Sequence, residues 1–177
     1  MADDVSNLIA FYRGATPDAA GRNIAEIWAW DHRRLEMQHD YIQWLFPLPE
    51  ASRFNPDAPQ LTAADAALFQ ADADLQARLS RSRDLMLRHY GLTFDGTAVT
   101  RTADFPARAA DWLTSLNHNH LRLTRILLSL GYLGQGLVAQ ALLARLMDIA
   151  AREGREAVTA RTRAFWEDAV HAPPPLR

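Results

Sequence analysis

Apolar residues recur at helical spacing through most of this chain, and that periodicity limits the fold more than any other feature. Ile24, Ile27 and Trp28 fall at positions i, i+3 and i+4 of one segment, which places them on one face of a helix. Residues 123–130 repeat the pattern with Leu and Ile. The sequence therefore predicts an all-α fold, a single compact multi-helical domain of about seven helices with two longer loops.

Glycine, proline and capping residues mark where the predicted helices begin and end. The predicted helical segments are a short helix capped by Asp3 or Asp4 and ending near Gly14, a second one opening at Thr16, the segment 36–46 ending before Pro47, a long run from a capping box at Thr62 to Tyr90, one from Phe105 to about Leu116, one capped by Asn117, one from about Leu137 to Glu153 and one from about Arg155 to Val170. Residues 47–59, which contain four prolines, and residues 92–104 are the two predicted loops. No strand is expected in the second loop.

The length and composition suit one domain. A chain of 177 residues, 49% of them apolar, can bury a core without disulfides or metals. We expect residues 1–171 to form this domain and residues 172–177 to form a proline-rich disordered tail. The chain contains no cysteine, which excludes disulfides, thiolate catalysis and cysteine-ligated zinc. All 19 basic residues are arginine, which excludes lysine-based chemistry.

Charge and hydropathy predict a soluble, cytoplasmic protein. The formal net charge of −2 gives no strong signal for nucleic-acid binding. The N-terminus is acidic where a signal peptide needs basic residues. Residues 126–144 are uncharged, but three glycines interrupt them, so two buried helices joined by a turn are expected instead of a transmembrane segment. Peripheral membrane association is left open.

Sequence motifs of enzymes and metal sites are missing. The chain has no G-x-S-x-G elbow, P-loop, dinucleotide-binding glycine motif or kinase motif. His118 and His120 stand two residues apart, a spacing that does not bring side chains together on a helix. We therefore expect a non-enzymatic protein with no catalytic residues, no metal and no cofactor.

The segment Leu35–Pro49 reads LEMQHDYIQWLFPLP and concentrates bulky aromatic and polar side chains before a proline. If residues 36–46 are helical, its apolar circumference is wide enough to be buried between neighbouring elements. One interpretation makes Trp44 and Phe46 core residues and lets His39 bond a loop carbonyl. The other makes His39, Asp40 and Gln43 a polar wall of a ligand pocket.

A second constellation follows the predicted cap at Asn117. His118, Arg122, Arg125 and Ser129 are spaced 4, 3 and 4 residues apart and share one face of a helix. Two guanidinium groups near a helix N-terminus suit a carboxylate or a phosphate. The alternative is a solvated face, or one that ties helices together through ion pairs with Asp111, Asp84 or Asp40.

These residues resemble a known family, that of the opioid growth factor receptor conserved domain. The string H-x-Y-I-Q-W-L-F-P, here His39–Pro47, is similar to the family signature. Further matching blocks, which with the signature cover roughly residues 8–150 at compatible spacing, are Pro59-Gln60-Leu61-Thr62, Leu85-Met86-Leu87, Tyr90-Gly91, His118-Asn119, residues 121–127 and Ser129-Leu130-Gly131. The departures are His120, where the family is expected to favour Asn, and the last helices, which match loosely.

The resemblance implies a non-enzymatic module that binds a short peptide. In the animal members of the family that ligand is the enkephalin pentapeptide. The ligand-binding candidates carried over from the matching blocks are His39, Tyr41, Gln43, Trp44, His118, Asn119, Arg122 and Arg125. The same blocks are equally interpreted as the folding core.

Two alternative functions remain beside peptide binding. One is an all-helical enzyme or accessory protein that binds a small anionic ligand through Arg122 and Arg125. The other is an interaction domain that forms dimers through the apolar helix Leu137–Met147, so the oligomeric state stays open.

Overall fold

A computed structural model describes residues 6–53, 55–154 and 156–176 and confirms the all-α fold class. Within the described residues there are ten helices and one short hairpin, compared with about seven helices expected. The elements are α1 Asn7–Tyr12, α2 Ile24–Trp28, α3 His32–Met37, α4 Ile42–Leu45, α5 Ala63–Ala71, α6 Ala73–His89, β1 Leu92–Phe94, β2 Val99–Arg101, α7 Phe105–Trp112, α8 His118–Tyr132, α9 Gly136–Arg152 and α10 Ala160–His171.

The chain divides into two compact units. The described residues up to Ser82, together with Leu176, form the first unit, and Arg83–Pro175 form the second. The boundary falls inside α6. Buried apolar residues occur in both units.

Aromatic rings hold the first unit together. The Phe11 ring lies 5.0 Å from Trp44 and the Tyr12 ring 4.8 Å from Phe69, measured between centroids. The Tyr12 hydroxyl donates to the backbone oxygen of Leu45, and its burial raises the pKa of the phenol above its ordinary value. Tilted and edge-on ring pairs of this kind stabilise a core beyond the area that they bury.

Side-chain caps start the short helices of the first unit. Ser6 accepts a hydrogen bond from the backbone of Ile9 at 3.2 Å and begins α1. Thr62 and Asp65 form the expected capping box of α5, and the Ser6 hydroxyl also donates to the Asp65 carboxylate at 2.5 Å. These caps satisfy N–H groups that a helix cannot bond internally.

The second unit is built around three long helices, α8, α9 and α10. Helix α8 packs against both α9 and α10. The predicted cap Asn117 is confirmed, since its side chain accepts from the backbone of Asn119. A turn at residues 133–135 joins α8 to α9, which confirms that residues 126–144 are two helices. The Tyr132 hydroxyl donates to the Pro174 oxygen at 2.6 Å, so part of the predicted tail contacts α8.

The sequence raised two possible roles for the apolar residues of this unit, a dimer interface on α9 and a transmembrane segment. The apolar residues of α9 are largely buried within the unit, apart from Leu137, which is 81% exposed. The face expected to form dimers is therefore mostly used inside the unit. Among the described residues, no helix combines the length and the apolar character needed to cross a membrane.

Several predicted element boundaries are wrong. Residues 36–46 are not one helix, because α3 ends at Met37 and Gln38 is extended. The run from Thr62 to Tyr90 is two helices, because Asp72 is extended and its carboxylate caps α6 by accepting from Asp74 and Leu75. Asp3, Asp4 and Arg155, which were expected at helix starts, lie outside the described residues.

The loop expected at residues 92–104 contains a hairpin. Strands β1 and β2 pair antiparallel, with Leu92 opposite Arg101. Asp95 closes the turn, since its carboxylate accepts from the backbone N–H groups of Thr97 and Ala98, each at 2.8 Å. Leu92 and Val99 are buried, so apolar side chains anchor the hairpin although each strand has only three residues.

Candidate functional site

The aromatic residues of the His39–Pro47 signature lie in the core of the first unit. Tyr41 and Trp44 are buried. The Tyr41 hydroxyl donates to the Leu35 oxygen at 3.1 Å, and its ring packs edge-on against Trp30 at 5.3 Å. The Tyr41 hydroxyl and both rings are therefore engaged inside the unit, where they fix the path of the chain after α3.

The polar residues of the signature fasten the turn at residues 38–41. In the amide orientation that satisfies its neighbours, Gln43 donates to the backbone oxygens of His39 at 3.2 Å and Asp40 at 3.0 Å. Arg22 bridges the Asp40 carboxylate, at 2.9 Å, and the buried carboxylate of Asp18, at 2.6 Å. His39 itself is exposed. Of the four signature candidates, only His39 and the half-buried Gln43 are thus accessible.

A concavity of about 440 Å³ opens beside this turn, and we call it the Trp30 pocket. Its floor is Trp30, which is 8% exposed and carries the Arg34 guanidinium 4.4 Å from its ring centroid. Arg33, Asp31 and Met37 complete the rim, and the Met37 side chain is 63% exposed. The pocket combines both signs of charge with an aromatic floor and an accessible thioether.

Residues at the start of α8 form a buried polar cluster in the second unit. Asn119 is fully buried and Arg122 is 5% exposed. The Asn119 side-chain oxygen accepts from the Tyr90 hydroxyl and from the Arg122 guanidinium, each at 3.3 Å. Buried polar groups bonded in this way fix the geometry of a core. The expected cationic stripe is therefore mostly interior, with His118 and Arg125 half-buried at its edge.

His120 belongs to the same interior. Its Nε2 atom lies 3.0 Å from the Trp112 oxygen and must carry the proton, because a carbonyl only accepts. The backbone oxygen of His120 accepts from the Trp166 indole at 3.1 Å. Burial lowers the pKa of His120 below its ordinary value. The ring is therefore a neutral structural donor near neutral pH.

A concavity of about 760 Å³ in the second unit runs between the hairpin and α9, and we call it the arginine groove. Arg145 donates to the Val99 oxygen at 2.8 Å and to Asp148 at 3.1 Å. Arg152 donates to the same carboxylate at 2.5 Å and holds its pKa below the usual value, with smaller effects from Arg145 and Arg101. Three guanidinium groups therefore surround one carboxylate.

The eight sequence-predicted residues do not fall in one unit. His39, Tyr41, Gln43 and Trp44 belong to the first unit, whereas His118, Asn119, Arg122 and Arg125 belong to the second. Neither the Trp30 pocket nor the arginine groove was expected. In the described ranges of the chain, no group of three or more His, Asp or Glu side chains is placed to hold a metal ion.

A signal for each concavity is nonetheless visible in the sequence. Arg145, Asp148 and Arg152 follow the i, i+3, i+7 spacing of one helix face. Trp30 is followed by two arginines within four residues. What the sequence hides is the convergence of Arg101 with the α9 residues, because residues 92–104 were expected to be a loop.

Comparison with known proteins identifies one family. The profile described as the opioid growth factor receptor (OGFr) conserved region matches residues 2–161. The chain is 41% identical to the opioid growth factor receptor of Mus musculus over 115 residues, which cover 63% of this chain and 18% of that protein. For the Homo sapiens receptor the identity is 40% over 114 residues, covering 63% of this chain and 17% of the receptor.

A second group of relatives matches a longer stretch. The opioid growth factor receptor-like protein 1 of Mus musculus is 37% identical over 142 residues, which cover 75% of this chain and 29% of that protein. The chain thus spans less than a third of the length of these relatives. No solved structure matches the chain.

Proposed function

The chain belongs to the family of the opioid growth factor receptor conserved region, and on that premise we propose that it is a non-enzymatic domain that binds a short peptide. The name of these relatives refers to a receptor for an opioid growth factor. The matched stretch is a small part of those proteins, so the proposal concerns ligand binding by the domain and not their signalling. In this proposal the domain acts in the cytoplasm.

The Trp30 pocket is the observation that supports peptide binding best. A short peptide has an ammonium terminus, a carboxylate terminus and apolar side chains. The pocket offers Asp31 for the first, Arg33 and Arg34 for the second, and Trp30 with Met37 for the third. Its volume of about 440 Å³ lies within the usual range of ligand sites.

The pocket also explains why a family signature lies next to it. Tyr41 supports the Trp30 ring from one side, and Arg34 stacks on that ring. In this proposal Tyr41 and Trp44 are supports, and His39 and Gln43 are the signature residues near enough to the surface to meet a ligand. Support residues of this kind are needed because a binding site works only when its geometry is held in place.

The ligand-binding candidates on α8 lie in the second unit, and we divide them in the same way into buried supports and accessible contacts. Asn119 and Arg122 are buried and act as supports, while His118 and Arg125 are proposed as accessible contacts. The alternative of an anionic ligand on this helix face is less well supported, because Arg122 and Ser129 are both buried. A buried guanidinium already bonded to Asn119 is costly to redirect toward a ligand.

A titration with the enkephalin pentapeptide tests the proposal, followed by calorimetry and by tryptophan emission. We expect saturable binding that weakens about tenfold in Arg34→Gln, because one charge-assisted hydrogen bond and one ring contact are lost. Met37→Ala should weaken it severalfold. A peptide with an amidated C-terminus should also bind more weakly, since it lacks the carboxylate that Arg33 and Arg34 receive.

Arg81→Gln is the matched control. Arg81 is exposed and stacks on Trp28 at 4.4 Å, the same distance as Arg34 on Trp30, but it lies outside the pocket. The control variant should bind like the unsubstituted protein. Equal losses in Arg81→Gln and Arg34→Gln, or no saturable signal with the unsubstituted protein, would refute the proposal.

A further inference from the structure

The arginine groove of the second unit has the features of a site for an anionic ligand. Arg101, Arg145 and Arg152 line it together with Asp148. A further acid, Glu153, pairs with Arg101 at 2.5 Å. Three positive and two negative charges leave the groove with a net charge of +1. This excess favours anions.

The three guanidinium groups are held in place before any ligand arrives. Arg101 stacks on the Phe105 ring at 4.5 Å and is paired with Glu153. Arg145 is fixed at one end by the Val99 oxygen and at the other by Asp148. Ordering a flexible side chain costs binding energy. Side chains ordered in advance reduce that cost.

Donor capacity remains for a ligand. Each guanidinium carries five N–H donors. The contacts among the described residues engage two nitrogens of Arg145 and one nitrogen each of Arg101 and Arg152. Arginine forks with spare donors match the oxygens of carboxylates.

The rest of the groove distinguishes a peptide from a phosphate compound. Small apolar residues make up much of the lining, namely Ala98, Val99, Ala141 and Ala144. They give main-chain and methylene groups a surface to contact. Asp148 at the centre is an acceptor, and a peptide brings N–H donors to it, whereas a polyphosphate brings only negative charge.

We propose that the arginine groove binds an extended acidic segment of a partner protein, with its carboxylates on Arg101, Arg145 and Arg152. Arg145 and Arg152 are seven residues apart on α9, which is roughly 10 Å along the helix axis. Three acidic side chains at alternate positions of an extended chain span about 13 Å. The acidic side chains of such a segment can therefore reach both Arg145 and Arg152. This proposal is independent of the Trp30 pocket in the first unit.

The probe is a fluorescein-labelled peptide with the sequence Glu-Ser-Glu-Ser-Glu, and its match is Gln-Ser-Gln-Ser-Gln. We expect saturable anisotropy with the first peptide and none with the second at the same concentrations. The binding should weaken as salt is added, because exposed charges are screened. In a separate experiment inorganic tripolyphosphate is added as a competitor, and it should displace the Glu peptide only weakly.

Single substitutions locate the binding. Arg152→Gln should weaken the Glu peptide about tenfold, as expected for one charged hydrogen bond, and the double variant Arg145→Gln, Arg152→Gln should abolish binding. Asp148→Asn keeps an acceptor oxygen and removes a negative charge, so it should tighten binding severalfold. A gain of affinity is a result that misfolding does not produce.

Arg161→Gln is the matched control. Arg161 is an exposed arginine of α10 that stacks on Phe165 and lies outside the groove. Far-ultraviolet circular dichroism should show that every variant keeps its helical content. The proposal is overturned if the Gln peptide binds equally, if tripolyphosphate binds more tightly than the Glu peptide, if Arg161→Gln loses as much affinity as Arg152→Gln, or if the Glu peptide shows no binding at low salt.

Discussion

The two units reach stability by different routes. Up to α5, the helices of the first unit have four to nine residues. Helices this short are marginal alone, and here ring pairs, caps and the Asp18–Arg22–Asp40 bridge hold them. The long helices α8, α9 and α10 of the second unit have 12 to 17 residues and bury continuous apolar faces against one another.

This difference explains what the family signature reports. A unit made of short helices depends on particular side chains, so its sequence is constrained by packing. Tyr41 and Trp44 are buried parts of that packing, whereas the exposed residues of the Trp30 pocket, Arg34 and Met37, lie on α3. Sequence similarity to the family in this region therefore indicates a shared fold. It indicates a shared binding site only at residues that are accessible to a ligand.

The largest expected effect compares one tryptophan from each unit. Trp44→Ala and Trp166→Ala should each lower the free energy of unfolding by about 4 kcal/mol, as is typical when a buried indole is deleted. Trp44 packs on Phe11 at 5.0 Å, and Trp166 donates to His120. Urea unfolding followed by circular dichroism measures both losses. A loss below about 1 kcal/mol for Trp44→Ala alone would show that the signature is a surface feature and not core.

The sequence predicted the second unit better than the first. Long amphipathic helices repeat one pattern over many residues, so the helix capped by Asn117 and the turn before α9 were correctly predicted. The break in the helix at residues 38–41 was not predicted. There Asp40 pairs with Arg22, a residue 18 positions away in the sequence. The hairpin was missed since each strand has three residues, too few to display alternation.

The candidate sites were less predictable than the helices. Sequence spacing placed Arg122 on a polar stripe, but only packing shows that this stripe faces the interior of the second unit. The Trp30 pocket ends at Gln38, the first residue of the turn at residues 38–41, and the arginine groove has the hairpin as one wall. Each concavity therefore borders an element that sequence periodicity could not show.

The next prediction compares an ion pair whose carboxylate is buried with one whose carboxylate is exposed. The Asp18 side chain is fully buried and accepts from the backbone N–H groups of Ala20 and Arg22 as well as from the Arg22 guanidinium. Asp18→Ala in the first unit should cost about 3 kcal/mol, because two backbone N–H groups lose their buried acceptor and the half-buried Arg22 guanidinium keeps only Asp40 as a partner. Asp84→Ala in the second unit, whose pair with Arg83 is partly exposed, should cost less than about 1 kcal/mol. Urea midpoints of the two variants decide this, and equal costs would contradict the contrast between the units.

Two glycines test how tightly each unit encloses its turns. Gly91 has φ +74°, and an added Cβ would lie 2.7 Å from the Phe105 Cα atom. Gly91→Ala should therefore cost about 2 kcal/mol or more, since backbone strain and a steric clash add. Gly21 in the first unit has φ +79° but no atom within 4 Å, so Gly21→Ala should cost only about 1 kcal/mol. The melting temperatures of the two variants measure both costs. Equal decreases would show that the backbone at Phe105 moves to make room for the added Cβ atom.

The smallest expected effect is the pH dependence that His120 gives to the second unit. Burial lowers the pKa of His120 below 6.5 in the folded state. As pH falls, the unfolded chain therefore binds a proton before the folded chain does, and the free energy of unfolding decreases. This contribution is fully present above about pH 6.5 and is lost as pH falls through the lower pKa of the folded state. His120→Gln should reduce this slope, because the Gln amide nitrogen reaches the position of Nε2 and keeps a donor for the Trp112 oxygen without titrating. Urea midpoints measured between about pH 7.5 and 5.5 test it, and an unchanged slope in the variant would assign the pH dependence to other groups.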